Sequence, residues 1–235
     1  RADTKFHRFI EADDISNAQK YKMLVIGRTE WGALLKYELV MLICSWVPGV
    51  LGLALRKKLY PTILGSVGHG VVFGSNIVFR HPHKVYIGDG VIIDDNVLVD
   101  AKGSANEGIF LGNKAFIGRN SILSCKDGDI RLMEGVNIGF NCEIFSSSSV
   151  IIGKHSIIAA FTYIVGGGNY DISNEALDFS EQDGLVTKGG IKIGKNCFPG
   201  NPDNNFSDRL FVHQFGDGFI ICSDFPEPDA SRAIS

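Results

Sequence analysis

Residues 111–122 read LGNKAFIGRNSI, two consecutive blocks of six residues that each open with a large aliphatic residue followed by Gly. Related blocks occur upstream, as IGDGVI and IDDNVL at 87–98, and downstream, as IGFNCE at 138–143 and IGKHSI at 152–157. The fifth position of every block is small or β-branched. This period predicts an all-β parallel solenoid, in which each turn buries its inner face only by stacking on its neighbours.

The spacing of the blocks predicts the shape of each turn. Successive turns begin 20, 24, 21 and 20 residues apart, at Val67, Ile87, Leu111, Leu132 and Ile152. Three blocks of six fill most of such an interval, so we expect a three-sided coil with extra residues at one corner. Ile193 follows Ile152 by 41 residues, twice the ordinary interval, and we expect residues 166–190 to leave the coil as an extruded loop.

The pattern divides the chain into four parts. We expect a polar, irregular N-terminal segment at 1–28, an apolar helical segment at 29–64, the coil at 65–198 and an irregular tail at 199–235. After Phe198 no six-residue period is recognisable, which predicts an open end of the coil and leaves a natural cap and a shifted reading frame as alternatives.

The helical segment contains a long run without charge. Residues 39–55 carry no charged side chain, and basic residues follow at 56–58. Pro48 and Gly49 interrupt the run, which is at the lower length limit for a membrane-spanning helix. Two interpretations remain: a helical pair packed on the end of the coil, or an interfacial membrane anchor with Trp46 at the headgroups.

Composition and charge narrow the function classes. The chain is 45% hydrophobic and 21% charged, as expected for a domain with a real core. Its formal net charge of −3 gives no basic surface for nucleic acid, which we exclude as a partner. The five cysteines contain no CxxC pair, and Cys142 and Cys197 stand at inward fifth positions. We interpret them as reduced core residues.

These blocks, the extruded loop and the closing IKIGKNCF at 191–198 resemble the hexapeptide-repeat acyltransferases. The resemblance implies a left-handed parallel β-helix, a homotrimer, and acyl transfer, commonly of acetyl from acetyl-CoA, to a hydroxyl on a saccharide-like acceptor, with no metal. The apolar helical segment before the coil is similar to that of acetyltransferases of surface polysaccharide or lipid-linked sugar pathways. That likeness implies a cytoplasmic protein in peripheral contact with the inner face of the membrane.

The family places its general base, a histidine, in the extruded loop, but the corresponding position here is Asn169. An amide does not titrate and cannot take a proton from the acceptor. Asp171 as base, a histidine from elsewhere, and orientation of the acceptor by Asn169 all remain open. The resemblance assigns Asn169 and Asp171 to the acceptor side, and Gly167, Gly168 and Gly194 to the CoA side.

Two rival classes remain. The Asn at the expected His position favours a non-catalytic scaffold or a degenerate acyltransferase. A carbonic anhydrase-like coil would need three convergent histidines, and the sequence offers only the His81 and His83 pair, which Pro82 marks as a turn. We interpret His155 as an exposed turn residue, and Glu143 as either a cleft residue or a solvated flank.

Overall fold

The computed structural model describes residues 15–167, 169–170, 185–186, 189–198, 210–213 and 219–220. Within these ranges the chain forms a parallel β-solenoid of about five turns, with short helices in front of it. The predicted solenoid of hexapeptide repeats is confirmed. Its left hand stays a prediction from the resemblance.

Each of five successive turns contributes one strand to each of three parallel sheets, and further strands extend the first and third sheets. In the described ranges the first sheet contains β1 Ser66–Val67, β4 Val85–Ile87, β7 Ile109–Leu111, β10 Asp129–Leu132, β13 Ser149–Ile152, β18 Ile191–Ile193 and β20 Phe219–Ile220. The second contains β2 Val72–Phe73, β5 Ile92–Ile93, β8 Phe116–Ile117, β11 Asn137–Ile138 and β14 Ile157–Ile158. The third contains β3 Val78–Arg80, β6 Leu98–Asp100, β9 Ile122–Cys125, β12 Glu143–Ser146, β15 Thr162–Gly166 and β19 Leu210–His213.

The strand register confirms the alignment of turns that the sequence predicted. Ile87 pairs with Leu111, and Leu132 pairs with both Leu111 and Ile152. These side chains are all buried, as are the fifth-position residues of the quoted blocks, namely Val91, Val97, Ala115, Ser121, Cys142 and Ser156. Stacked inward aliphatics therefore form one continuous core through the coil. Cys142 and Cys197 are buried and unbridged, as predicted.

Two of the three corners close tightly with a residue in the left-handed region. At the corner between the second and third sheets this residue is Asn in four turns, at Asn76, Asn96, Asn120 and Asn141, with φ between 54° and 59°. Asn tolerates this conformation better than most residues because its short amide can bond locally. The predicted turn residue His155 occupies the equivalent place at the other tight corner, with φ 58°, and is exposed.

The third corner, between the third and first sheets, varies in length. The connections at the other two corners never exceed four residues in the described turns. Here they range from two residues at 147–148, through eight at 101–108, to 24 at 167–190. In the described turns the insertions thus leave the coil along one edge, which we call the loop edge.

The N-terminal segment contains more structure than the sequence predicted. Helix α1, Asn17–Tyr21, begins at a capping box in which the Ser16 hydroxyl accepts from the Gln19 amide, and it continues as a π-helical turn over Lys22–Ile26. The expectation of an irregular segment is therefore wrong for 17–26. Residues 1–14 lie outside the described residues.

The helical pair is packed on the first turn of the coil. Helix α2 spans Trp31–Cys44 and α3 spans Gly49–Leu59; together with the turn at 45–48 they form what we call the helical hairpin. The buried Arg56 donates to the carbonyl of Phe73 at 3.0 Å, and the Tyr37 hydroxyl donates to the carbonyl of Phe79 at 2.7 Å. No helix in the described part of the chain is both long and apolar enough to cross a bilayer.

The far end of the coil is less open than expected. Strand β19 pairs in parallel with β15, and β20 pairs in parallel with β18, so two of the sheets gain a strand from the region after Phe198. In the described ranges β20 and β19 are the last strands of the first and third sheets, so the open edge lies at these strands and not at β18 and β15. The backbone continues the stacking although the six-residue sequence period has ended, because strand pairing depends on main-chain groups.

Candidate functional site

The candidate site lies at the roots of the longest insertion on the loop edge. The loop leaves after Gly166 and returns at Gly190, and both glycines pack against Ser149 of the turn below. A Cβ on Gly166 would lie 2.7 Å from the Ser149 carbonyl oxygen, and one on Gly190 would overlap the Ser149 hydroxyl. Side chains are excluded at both roots, which fixes where the loop departs.

The polar groups beneath the roots are already engaged. The amides of Ser147 and Ser148 donate to the carbonyl of Gly166, at 2.9 and 3.0 Å. The Ser146 hydroxyl donates to the carbonyl of Asp129 at 2.8 Å. Burial raises the pKa of the Cys125 thiol to about 12, so it is not a thiolate nucleophile at neutral pH. These groups hold the loop in place and offer no base.

The loop begins as a short antiparallel ribbon. Strand β16, Asn169–Tyr170, pairs with β17, Leu185–Val186, so that Asn169 lies opposite Val186. Gly167 precedes this ribbon, is buried, and has φ 89°, a conformation that favours glycine. Gly168 and Asp171 lie outside the described residues, and their assignments stay predictions.

The two predicted CoA-side positions that are described lie at different corners of the coil. Gly167 is on the loop edge, whereas Gly194 follows β18 at the tight corner between the first and second sheets. The Gly194 carbonyl accepts from the Ser156 hydroxyl at 2.8 Å, and a Cβ on Gly153 would clash with the Gly194 backbone. In one copy of the chain, Gly194 therefore has a stacking role and is not part of the loop roots.

A histidine that sequence reasoning could not place lies in register with the loop root. Strand β19 pairs with β15 so that His213 lies opposite Val165, the residue before Gly166. No sequence signal could have found it, because the six-residue period ends before this strand. His213 is therefore a candidate for the histidine from elsewhere.

Two other candidate groups are positioned by packing. Glu143 is half-buried on the third sheet, between Ile122 and Tyr163 in the register. The His81 and His83 rings lie 6.2 Å apart, and His81 Nε2 lies 2.8 Å from the Met23 carbonyl oxygen. This histidine pair contacts the π-helical turn, and no set of three or more His, Cys, Asp or Glu side chains in the described ranges is arranged to hold a metal ion.

A shallow groove on the first sheet lies away from the loop roots. Its floor is a stack in which the Tyr86 and Phe110 rings lie 4.7 Å apart and the Arg131 guanidinium lies 3.9 Å from the Phe110 ring centre. Gly65 covers the opposite side of Tyr86. The ring faces are therefore occupied by each other and are not free to stack on a ligand.

The fold and repeats define the class of protein, a parallel β-solenoid of hexapeptide repeats. This architecture is consistent with the hexapeptide-repeat family, which the sequence resembles. No family model and no curated protein matches the chain. Among solved structures, the hexapeptide-repeat-containing acetyltransferase VCA0836 from Vibrio cholerae is similar at 17% identity and a TM-score of 0.47, over 72% of this chain and 86% of that one. Its complex with acetyl coenzyme A matches at 19% identity and a TM-score of 0.46, over 63% of this chain and 87% of that one.

Proposed function

We propose that the chain transfers an acyl group, acetyl in the first instance, from CoA to a hydroxyl of a saccharide-like acceptor. The observation that carries this proposal is the loop with side-chain-free roots, extruded from one edge of an otherwise flat-sided hexapeptide coil. Flat faces provide no pocket, so a concave site requires an inserted loop or a neighbouring copy. The resemblance of the repeats and loop to hexapeptide acyltransferases supplies the reaction class.

In the proposed reaction the acceptor hydroxyl oxygen attacks the thioester carbonyl carbon, the carbon–sulfur bond breaks, and CoA leaves as its thiolate. The hydroxyl proton passes to a base on the enzyme. Asn169 orients the acceptor through hydrogen bonds and does not take the proton. Asp171 and His213 are the two candidate bases, the first from the loop sequence and the second from its register beside Val165.

The finer assignments belong to the same proposal. A homotrimer would place the loop of one copy against the coil of the next and would bring corner glycines such as Gly194 into a shared CoA site. The acceptor class, a role in polysaccharide biosynthesis, and a cytoplasmic location against the inner face of the membrane follow from the resemblance.

The test measures free CoA after incubation with acetyl-CoA and a panel of sugar nucleotides and free sugars. We expect acceptor-dependent CoA release, and a loss of about 100-fold or more when the true base is removed by Asp171→Asn or His213→Asn. The matched control is His155→Asn, at an exposed corner on another edge. Acetyl-CoA binding without turnover on any acceptor would contradict the transfer step.

The Asn at position 169 favours one alternative, a non-catalytic scaffold or degenerate acyltransferase. The scaffold predicts that acetyl-CoA does not raise the melting temperature of the folded protein, and the degenerate acyltransferase predicts a rise without turnover. An active transferase predicts a rise that grows with ligand concentration, because ligand binding stabilises only the folded state.

A further inference from the structure

The turn of the helical hairpin exposes a cluster of large apolar side chains, which we call the hairpin tip. Val50 is 82% exposed and Leu42 is 69% exposed, far above the values of the coil aliphatics. The other members of the tip are Ile43, Trp46 and Leu51. These five residues fall within ten positions of sequence, so they lie together at the turn end of the hairpin.

The packing of the hairpin leaves the tip unused. Helix α2 buries Tyr37, Val40 and Cys44, and α3 buries Gly52 and Arg56. The helices therefore meet the coil and each other through their other faces. The tip contributes nothing to the core, and a contiguous exposed apolar surface of this kind marks an interaction site.

The polar groups at the tip are satisfied internally. Arg56 Nη1 donates to the carbonyls of Cys44 and Val47, at 3.0 and 2.7 Å, at the end of α2 and in the turn. The Trp46 indole nitrogen donates to the carbonyl of Leu42 at 2.7 Å. Removing water from these groups would leave their hydrogen bonds intact, which lowers the cost of placing the turn in an apolar medium.

The charges behind the tip are basic except for the exposed Glu38, which lies four residues before Leu42 and accepts from the Tyr21 hydroxyl at 2.6 Å. Between Glu38 and Asp89 the sequence contains no acidic residue, although the whole chain has a net charge of −3. Exposed Lys57 is seven residues after Val50, about 10 Å along the helix, and exposed Lys36 is six residues before Leu42, about 9 Å. Each arm of the hairpin thus carries a cation at a similar depth behind the apolar tip.

We propose that the hairpin tip inserts into the interfacial layer of a bilayer with anionic headgroups, which the lysines on both arms contact. The depth from tip to lysines matches the ~5–10 Å by which interfacial helices bury their apolar residues. At 14 and 11 residues, α2 and α3 extend about 21 and 16 Å, too short for the ~30 Å hydrocarbon core. A second copy paired tip to tip would bring the exposed Lys57 and Lys58 of the two α3 arms together, so lipid with anionic headgroups is the favoured occupant.

This inference rests on the membrane contact in the proposed function and is independent of acyl transfer. The experiment is co-sedimentation of the full chain with vesicles of phosphatidylcholine alone, or with about a third phosphatidylglycerol. We expect binding to the anionic vesicles that weakens as salt is raised. No substrate is needed, so failure here leaves CoA release with a soluble acceptor as a separate result.

The variants separate insertion from charge attraction. Val50→Glu combined with Leu51→Glu should lower vesicle affinity by at least about tenfold, since two acids replace exposed aliphatics that the proposal places in the bilayer. Both positions are in the first turn of α3, where acids favour the helix, so the fold is retained. Replacing Lys36, Lys57 or Lys58 by Gln should reduce affinity roughly fivefold each. The matched control Ile92→Glu, an exposed aliphatic on the coil, should bind as the unmodified chain does.

Tryptophan fluorescence gives a direct readout of depth. The chain has two tryptophans, so Trp31→Phe leaves Trp46 as the reporter. We expect its emission to shift to shorter wavelength and to be quenched by brominated lipid tails. Equal vesicle binding by the double Glu variant, or no quenching of Trp46, would overturn insertion. Self-association that the double Glu variant abolishes, without vesicle binding, would assign the tip to a second copy.

Discussion

The coil and the helical hairpin in front of it use aliphatic side chains in opposite ways. In the coil, residues such as Ile117 and Ile138 are fully buried and stack on the equivalent residues of neighbouring turns. In the hairpin, Leu42 and Val50 face outward, and the buried contacts with the coil are made by Tyr37 and Arg56, joined by Tyr60 directly after α3. Hydrophobicity alone therefore does not report burial; the period in which it recurs does.

The largest effect should come from truncating the core of the coil. Ile117→Ala is expected to lower the free energy of unfolding by about 4 kcal/mol, because it removes buried methyl groups and leaves a cavity. Val50→Ala, at the tip, should change it by less than about 0.5 kcal/mol. Urea denaturation followed by circular dichroism measures both, and equal losses at the two positions would erase the contrast between the regions.

The next effect concerns how the hairpin is attached. Arg56→Met is expected to cost about 3 kcal/mol, since it leaves the carbonyls of Cys44, Val47 and Phe73 without their donor. Its neighbour Lys57 is exposed, and Lys57→Met should be close to neutral. Protease digestion between the hairpin and the coil gives a second readout. A stable Arg56→Met variant would mean that apolar contacts alone hold the helical hairpin on the coil.

A smaller effect is expected at the loop roots. Gly190→Ala should destabilise the protein by about 2 kcal/mol, because the new methyl group collides with Ser149 and forces the root to move. Gly32→Ala in α2 meets no atom within 4 Å and should instead stabilise by about 0.5–1 kcal/mol. Thermal melting distinguishes the two, and CoA release reports whether the loop has moved.

The smallest effect is a pH dependence at the junction of the two regions. Burial, with Arg28 nearby, lowers the pKa of His83 to about 4, below its value of ~6.5 in the unfolded chain. The folded state thus favours neutral His83, so this contribution is complete above about pH 6.5 and is lost as the pH falls towards 4.

The measurement is the difference in urea midpoint between about pH 7.5 and pH 5. His83→Phe should reduce that difference, and the exposed control His155→Asn should not. An identical pH dependence in all three proteins would exclude His83 as its source.

The fold was predictable because the coil repeats one physical constraint. Every turn needs an inward aliphatic and a small inward residue, and Leu111, Leu132 and Ile152 mark the same place in successive turns. The sequence also predicted the loop at 166–190 from a doubled interval. Helix 17–26 was missed because its only signal is the local capping box of Ser16 and Gln19.

The candidate site was harder to predict because the residues proposed for it come from places without a period. His213 is brought beside Val165 by main-chain pairing, which leaves no pattern of side chains in the sequence. Gly166 and Gly190, the two loop roots, both pack against Ser149, and this contact is visible only in three dimensions. Asn169 became a candidate only because the family resemblance places a catalytic histidine at that position.

The confinement of insertions to one edge has a practical consequence for how this protein can change. At the two tight corners, an added residue would shift every following aliphatic out of its column, because each corner closes in four residues or fewer around one residue in the left-handed region. At 101–108 and 167–190 the chain already departs and returns, and the strands that follow, β7 and β18, still pair in register with the turns below. New segments, whether acquired by evolution or grafted by design, can therefore be inserted along the loop edge without changing the register of the coil. The other two edges do not tolerate added residues.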